Sequence, residues 1–255
     1  MKDMFRLEGK IAVVIGGAGG IGEACAVALA GRGAQVVVAG RTLAKVEEAA
    51  RKIESGTGRA ATALSVDVTS EESIVKLAAD VVERHKTVDI LVNAQGINLK
   101  VAALDISTAG WDSLFATNVR GTVMACKVFG RIMVEKKKGK IINLSSIRGI
   151  RGTDGGNTVY GATKGAVDMI TRMLAAEWAP YQVNVNAVAP SVIMTEMIRK
   201  NVAPDRLEML LSKVPLKRFA SVEDAAAACV YLASPESDFI TGQILYVDGG
   251  LTAVG

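Results

Sequence analysis

The chain of 255 residues is poor in the side chains that the commonest catalytic and metal sites require. Its single histidine, His85, disfavours a Ser-His-Asp triad and a metal site built from several histidines. Its three cysteines, Cys25, Cys126 and Cys229, lie far apart and form no CxxC pair, which favours buried thiols in a reducing compartment. Any catalytic base must therefore be another residue type.

Targeting and membrane signals are also missing from the sequence. The first ten residues, MKDMFRLEGK, lack the apolar core of a signal peptide, and no run of about 18 uncharged apolar residues occurs. The formal net charge is only +4, and the one dense basic cluster, EKKKGK at 135–140, is typical of a solvated helix end. We expect a cytoplasmic protein with neither a nucleic-acid nor a membrane partner.

Short apolar runs alternate with helix-length segments along the whole chain. The runs are nearly continuous in Val, Ile, Leu and Ala, as in strands buried on both faces. The alternation predicts one α/β domain over residues 1–255, a doubly wound parallel sheet of about seven strands with helices on both faces. The predicted strands are 10–16, 34–40, 61–67, 88–94, 139–145, 183–189 and 243–249, and the predicted helices are 21–32, 42–54, 70–86, 111–136, 158–179 and 222–233.

A glycine-rich segment, IGGAGGIG at 15–22, follows the first predicted strand and opens a helix. Glycines let the backbone turn sharply and let a diphosphate approach the amide groups of a helix N-terminus. The spacing resembles the TGxxxGxG loop of the short-chain dehydrogenase/reductase family, with Ile15 in place of the family threonine. The resemblance implies a Rossmann-like fold and a dinucleotide cofactor held by Gly16, Gly19, Gly20, Ile21 and Gly22.

The segment YGATK places Tyr160 and Lys164 on one helix face, and NLSS ends the fifth predicted strand at Ser146. A nearby ammonium and a nicotinamidium both stabilise a phenolate, so a tyrosine here could move the proton of an alcohol. Alone, each residue fits an ordinary structural role. Together they resemble the family's Ser, Tyr and Lys, which a helix asparagine completes. The resemblance implies the catalytic set Asn118, Ser146, Tyr160 and Lys164, the last two also binding cofactor.

The end of the second predicted strand bears on the choice of cofactor. An acidic residue there would bind the adenosine ribose of NAD, but the sequence reads Gly40-Arg41-Thr42. Arg41 suits a 2′-phosphate, and Thr42 adds a hydroxyl. We therefore expect NADP in preference to NAD, with stacking of Arg41 on adenine as the alternative.

Further segments resemble the family's remaining cofactor contacts. Asp67 and Val68 match its adenine-edge position, although a role near a helix cap is an alternative. LVNAQG resembles the NNAG segment, and NAVAPSVIMT at 186–195 resembles N-A-V-x-P-G-x-x-x-T. Residues 196–217 are expected to form a substrate lid. The additional cofactor contacts implied by these segments are Asn93, Gly96, Pro190, Ile193 and Thr195.

The substrate is less well indicated by the sequence. Gln95 is polar where the family usually has alanine, and Arg148 and Arg151 follow Ser146. They suit a polyol, a sugar acid or another small polar carbonyl compound, but both arginines equally fit solvent or a partner subunit. A 3-oxoacyl thioester or a hydrophobic ketone is the alternative substrate. A non-catalytic dinucleotide sensor, an epimerase and a dehydratase are less favoured, and the family implies a homotetramer or dimer built through helices 111–136 and 158–179.

Overall fold

The seven predicted strands form one parallel sheet in the computed structural model, which describes residues 4–194 and 203–254. The strand order is β3-β2-β1-β4-β5-β6-β7, and the chain crosses over where β4 pairs with β1. Six strands lie inside their predicted apolar runs, and β6 extends one residue beyond its run. This agreement confirms the fold class. The strands are β1 Ile11–Ile15, β2 Gln35–Gly40, β3 Thr62–Ser65, β4 Ile90–Asn93, β5 Gly139–Leu144, β6 Val183–Pro190 and β7 Ile244–Val247.

Helices cover both faces of the sheet because each central strand is apolar on both sides. Successive side chains point to opposite faces, so Val14 packs in the layer containing Cys25 and Leu29, whereas Val13 packs in the layer containing Phe129 and Met133. The described α-helices are α1 Gly20–Gly31, α2 Leu43–Thr57, α3 Glu71–His85, α4 Thr108–Leu114, α5 Gly121–Glu135, α6 Thr158–Trp178, α7 Pro204–Ser212 and α8 Val222–Ala233.

The predicted continuous helix 111–136 is interrupted. It begins earlier, at α4, and widens into a π-helical segment, Phe115–Arg120, before α5. The amide side chain of Asn118 explains the wider turn, because it accepts a hydrogen bond from the Ile97 N–H and donates one to the Ile97 carbonyl, each 2.9 Å long. The interruption fixes Asn118 against the loop that follows β4.

Two further features concern helices. The Ser70 side chain caps α3 by accepting a hydrogen bond from the Ser73 N–H. Of the expected lid 196–217, residues 203–217 are described and contain α7, while 196–202 lie outside the described residues. Among the helices of the described part, none combines the length and apolarity needed to cross a membrane.

Candidate active site

The glycine-rich loop at the carboxyl end of β1 is packed tightly against its surroundings. Gly16 has a φ of +79°, and a Cβ there would lie 2.6 Å from the backbone nitrogen of Gln95. A Cβ on Gly22 would overlap the carbonyl oxygen of Gly16. These two positions require glycine for folding, because any side chain would meet backbone.

Gly19 differs, because nothing in the described protein requires its lack of a side chain. It is exposed, a Cβ there would meet no atom within 4 Å, and it caps α1 without any side-chain hydrogen bond. The first amide groups of α1 are therefore left for an anion, and the open space beside Gly19 lets a diphosphate approach closely. This arrangement fits the phosphates of a dinucleotide.

A cavity of about 480 Å³ extends from this loop across the carboxyl ends of β1, β2 and β4. Gly20, Ile21 and Gly22 adjoin it as the first residues of α1. The cavity therefore brings together cofactor residues that are distant in sequence. Its lining includes the predicted residues Gly16, Gly19, Arg41, Asp67, Val68, Gln95 and Gly96.

The adenosine end of the cavity carries a free cation and a free hydroxyl. Arg41 is exposed and forms no ion pair within the described part of the chain, and Thr42 caps α2 without using its hydroxyl. Asp67 instead accepts two hydrogen bonds from Thr69, and these bonds together with the Arg41 charge lower the pKa of its carboxyl. Arg41 and Thr42 fit a 2′-phosphate, while Asp67 also has the structural role that was the alternative.

Lys164 lies one helical turn after Tyr160 on the same face of α6. Its Nζ is 5.6 Å from the centre of the Tyr160 ring and donates a 2.7 Å hydrogen bond to the carbonyl oxygen of Leu144, at the end of β5. Burial lowers the pKa of Lys164 to about 8, although the charge of Asp168 opposes this shift. The ammonium is thus close to losing its proton near physiological pH.

The hydroxyl of Tyr160 is largely buried. Burial raises the pKa of this hydroxyl, while a hydrogen bond with Ser146 and the charge of Arg148 partly oppose the rise. The amine of Lys164 is directed at Leu144 rather than at the phenol. Desolvation therefore outweighs the neighbouring cations.

Ser146 and Asn118 complete the cleft. The Ser146 hydroxyl accepts a 3.2 Å hydrogen bond from the Arg148 N–H and meets the Tyr160 hydroxyl, whereas Ser145 points to the carbonyl of Lys164. A Cβ on Gly96 would lie 3.5 Å from the Asn118 Oδ1 and 3.7 Å from the Lys164 Nζ. Asn118 and Lys164 thus lie beside Gly96, which lines the cavity. Tyr160 lies next to Lys164 and Ser146, so the four predicted catalytic side chains form one group.

The remaining predicted cofactor residues lie at the ends of neighbouring strands. Asn93 is buried and donates a 2.9 Å hydrogen bond to the Asn143 Oδ1, which joins β4 to β5. Pro190 ends β6, and Ile193 is buried beside Ala220, with which it forms a parallel bridge. The predicted contact Thr195 lies outside the described residues.

The three predicted substrate residues have different surroundings in the structure. Gln95 is buried, and its amide donates to the Thr122 hydroxyl, so its side chain points into the protein and not toward a substrate. Arg151 donates to the carbonyl of Leu251 in the C-terminal tail. Only Arg148 remains beside Tyr160. The expectation that Gln95 faces the substrate is therefore not supported by its position.

Sequence reasoning missed two features of this region. Asp168 is buried one turn beyond Lys164, and its i+4 spacing is visible in the sequence. The tail around Leu251 packs against the cleft loop, residues 147–157 between β5 and α6, through Arg151. The carbonyl of Gly249 accepts a hydrogen bond from the Leu216 N–H. No sequence signal indicated the tail contacts.

Known proteins resemble this chain over nearly its whole length. The family described as "Enoyl-(Acyl carrier protein) reductase" matches residues 16–252. Galactitol 2-dehydrogenase (L-tagatose-forming) of Cereibacter sphaeroides is 39% identical, with 98% of each chain covered. NAD-dependent glycerol dehydrogenase of Listeria innocua is 36% identical, over 97% of this chain and 96% of that protein.

A solved structure has nearly the same fold as this chain. The crystal structure of a gluconate 5-dehydrogenase from Burkholderia cenocepacia in complex with NADP and tartrate has a TM-score of 0.93, 33% identity and 99% coverage of each chain. The fold, the glycine-rich loop and the grouped Ser, Tyr and Lys agree with these matches. The chain belongs to the short-chain dehydrogenase/reductase family of NAD(P)-dependent oxidoreductases.

Proposed function

We propose that the protein interconverts a secondary alcohol and a ketone on a small polar substrate, with polyols and sugar acids as the favoured class. The grouping of Ser146, Tyr160 and Lys164, with Lys164 beside the cavity residue Gly96, carries the proposal. The relatives support the substrate class, because their names specify glycerol and galactitol, and the solved gluconate 5-dehydrogenase holds tartrate. Arg148 beside Tyr160 suits a carboxylate of a sugar acid.

The proposed chemistry assigns one task to each side chain. The bound nicotinamide supplies the hydride acceptor or donor. Tyr160 takes the hydroxyl proton during oxidation and returns it during reduction, while Ser146 holds the substrate oxygen by a hydrogen bond. Lys164 stabilises the phenolate by its charge and binds the nicotinamide ribose. Asn118, which lies across Gly96 from Lys164, completes the relay that returns the proton to solvent.

The first test replaces Tyr160 by phenylalanine, which removes only the hydroxyl. We expect kcat to fall by about 10² to 10⁴, the usual contribution of a positioned acid or base. NADPH binding, followed by nucleotide fluorescence, should change little, because Tyr160 adds one contact among many. Retention of turnover by Tyr160→Phe would remove the proposed relay.

A substrate panel run in both directions with each cofactor defines the reaction. It should include polyols, sugar acids and a 3-oxoacyl thioester, with turnover read from the absorbance of the reduced nicotinamide. A thioester or hydrophobic ketone is the second candidate substrate, since a mainly apolar cavity of about 260 Å³ reaches Val159, the residue before Tyr160. Its apolar lining includes Leu99, Val101, Ile106, Trp111, Leu114 and Val159. Binding of NADPH with no turnover of any compound would favour a dinucleotide sensor.

NADP is the proposed preferred cofactor because Arg41 and Thr42 lie uncommitted at the adenosine end. Replacing Arg41 by alanine should weaken NADPH binding by about tenfold to a hundredfold, since one charged hydrogen-bonding pair is lost. The Kd of NADH should change far less. An equal loss for both cofactors would instead indicate stacking of Arg41 on adenine.

The proposed functional form is a homotetramer or homodimer in the cytoplasm. Exposed apolar side chains on the proposed interface helices support assembly, namely Trp111 on α4 and Met169 and Met173 on α6. The three cysteines are free, buried thiols, which supports a reducing compartment. Residues 196–217 remain the proposed lid. Light scattering on the purified protein distinguishes a monomer, which would contradict the assembly, from a dimer or tetramer.

A further inference from the structure

Asp168 is a buried carboxyl group for which the proposed chemistry has no task. It is 4% exposed, and its Oδ1 has no hydrogen-bond partner among the described residues. Burying a carboxylate is costly unless a compensating charge lies nearby. Neighbouring groups must therefore compensate for the charge of Asp168.

Two features fix Asp168 in this place. Ser145, which follows β5, lies against its carboxyl group. Burial raises the pKa of that carboxyl, while Ser145 and the charges of Arg172 and Lys164 oppose the rise. Gly149, in the loop after Ser146, packs directly on it, because a Cβ on Gly149 would lie 2.5 Å from the Asp168 Oδ2 and 3.1 Å from the carbonyl of Lys164. The loop and the strand thus hold Asp168 and Lys164 together on one face of α6.

Other titratable groups face the neighbours of Lys164. Arg148 approaches Tyr160 from the cleft loop, and Arg172 approaches Asp168 from the next turn of α6. From β7, Tyr246 faces Asp168 as a neutral phenol. Within the described part of the chain, Asp168 supplies the negative charge that acts on Lys164.

We propose that Asp168 is a positioning residue whose buried carboxylate keeps the Lys164 ammonium protonated, and so keeps Tyr160 competent to exchange a proton. The inference rests on the proposed function, since Lys164 must carry its charge to stabilise the phenolate. Burial lowers the pKa of Lys164, and the charge of Asp168 opposes this shift, so that the pKa is about 8. Without that negative charge the ammonium would lose its proton at a lower pH.

The test is the pH dependence of kcat/KM in Asp168→Asn, which keeps the shape of the side chain and removes its charge. Loss of a negative charge makes every nearby proton easier to remove, so the midpoints of the profile should shift downward. A charge one helical turn away in a partly screened interior corresponds to roughly one pH unit. Asp168→Ser, which is smaller and uncharged, has the same expectation and serves if the asparagine variant does not fold.

Glu177→Gln is the matched control. It removes the same charge from the same helix, but Glu177 is exposed and 13 residues beyond Lys164, about 20 Å along the helix axis. Its pH profile should coincide with that of the unaltered protein. A purely structural role for Asp168 would lower turnover without moving the midpoints, and that result, or an upward shift, overturns the proposal.

A direct titration of Lys164 separates this proposal from the proposed function, because it needs no turnover. The Lys164 signal is the lysine Cε resonance that is present in the protein and missing from its Lys164→Met variant, followed with Asp168 and again with Asp168→Asn. A lower Lys164 midpoint in the asparagine variant supports the positioning role even if the true substrate is missing from the panel. An unchanged or higher midpoint overturns the role of Asp168, whereas retained turnover in Tyr160→Phe would instead overturn the proposed function.

Discussion

The two parts of the described chain on either side of Asn93 differ in what they bury. From residue 4 to Val92 the buried side chains are all apolar, and this part supplies β1, β2, β3 and most of β4. From Asn93 onward the interior also contains polar and charged groups. Those around the cleft and the adjoining strands are Asn93, Gln95, Asn118, Thr122, Asn143, Ser145, Ser146, Thr163, Lys164, Asp168, Thr171 and Asn186.

The two parts of the fold differ in the groups that they can offer to a ligand. In the proposed function the first part contacts the cofactor through backbone, at Gly19, and through a solvated side chain, at Arg41, so its interior can remain an ordinary apolar core. The second part offers side-chain chemistry, and buried polar groups are stable only with fixed partners. Asn143 illustrates this, because it accepts a hydrogen bond from Asn93 and donates one to Thr171.

Among the substitutions that test this difference, replacing Lys164 by methionine should have the largest effect. Turnover should be lost, yet the free energy of unfolding at pH 7 should rise by up to about 3 kcal/mol, since a lysine whose pKa falls from 10.5 to about 8 destabilises the fold while protonated. Denaturant unfolding of both proteins measures the difference.

The same pair of proteins gives a pH signature. Because the pKa of Lys164 is lower in the folded state, its destabilising effect is complete below about pH 8 and disappears as pH rises toward 10.5. The advantage of Lys164→Met should therefore shrink between these limits. A stability difference that is constant with pH would mean that burial of the ammonium is not its cause.

Gly19→Ala should have a smaller effect, and on binding rather than folding. The φ of Gly19 is 169°, an extended conformation that alanine also adopts, and the added Cβ meets nothing within 4 Å. The thermal midpoint should be unchanged, while the Kd of NADPH should rise roughly tenfold because the methyl group occupies space needed by the diphosphate. Calorimetric titration provides the Kd, and unchanged affinity would contradict the phosphate assignment.

Gly56→Ala is the matched control and the smallest effect. Gly56 lies within α2, away from the cavity, and a Cβ there also meets nothing within 4 Å. It should stabilise the protein by about 0.5 to 1 kcal/mol, because alanine loses less backbone entropy in a helix, and leave the Kd of NADPH unaltered. Weaker NADPH binding here would show that the Gly19 result is not specific to the loop.

Local sequence patterns were sufficient for the sheet. A continuous run such as IAVVI leaves only a strand buried on both faces, and Ser70 ahead of Glu71 and Glu72 marks the start of α3. The shared face of Tyr160 and Lys164 was also predictable, since helical periodicity alone gives it, whereas their proposed relay role came from the family resemblance. These features depend on neighbours within a few residues.

What escaped the sequence depends on distant contacts. The π-helical turn arises because Asn118 bonds to Ile97, which is 21 residues away. The raised pKa of Tyr160 comes from burial, which no local pattern describes. The Gln95 amide donates to the Thr122 hydroxyl, which is 27 residues away. Each of these features comes from a tertiary contact rather than from local propensity.

The C-terminal tail has a practical meaning for redesign of the enzyme. Its residues hold the cleft loop through the bond between Arg151 and the Leu251 carbonyl, and they meet the segment after α7 through Gly249 and Leu216. Mutant libraries that aim at a new substrate should therefore vary positions 248–252 together with the cleft loop. A purification tag is better fused at the opposite end of the chain.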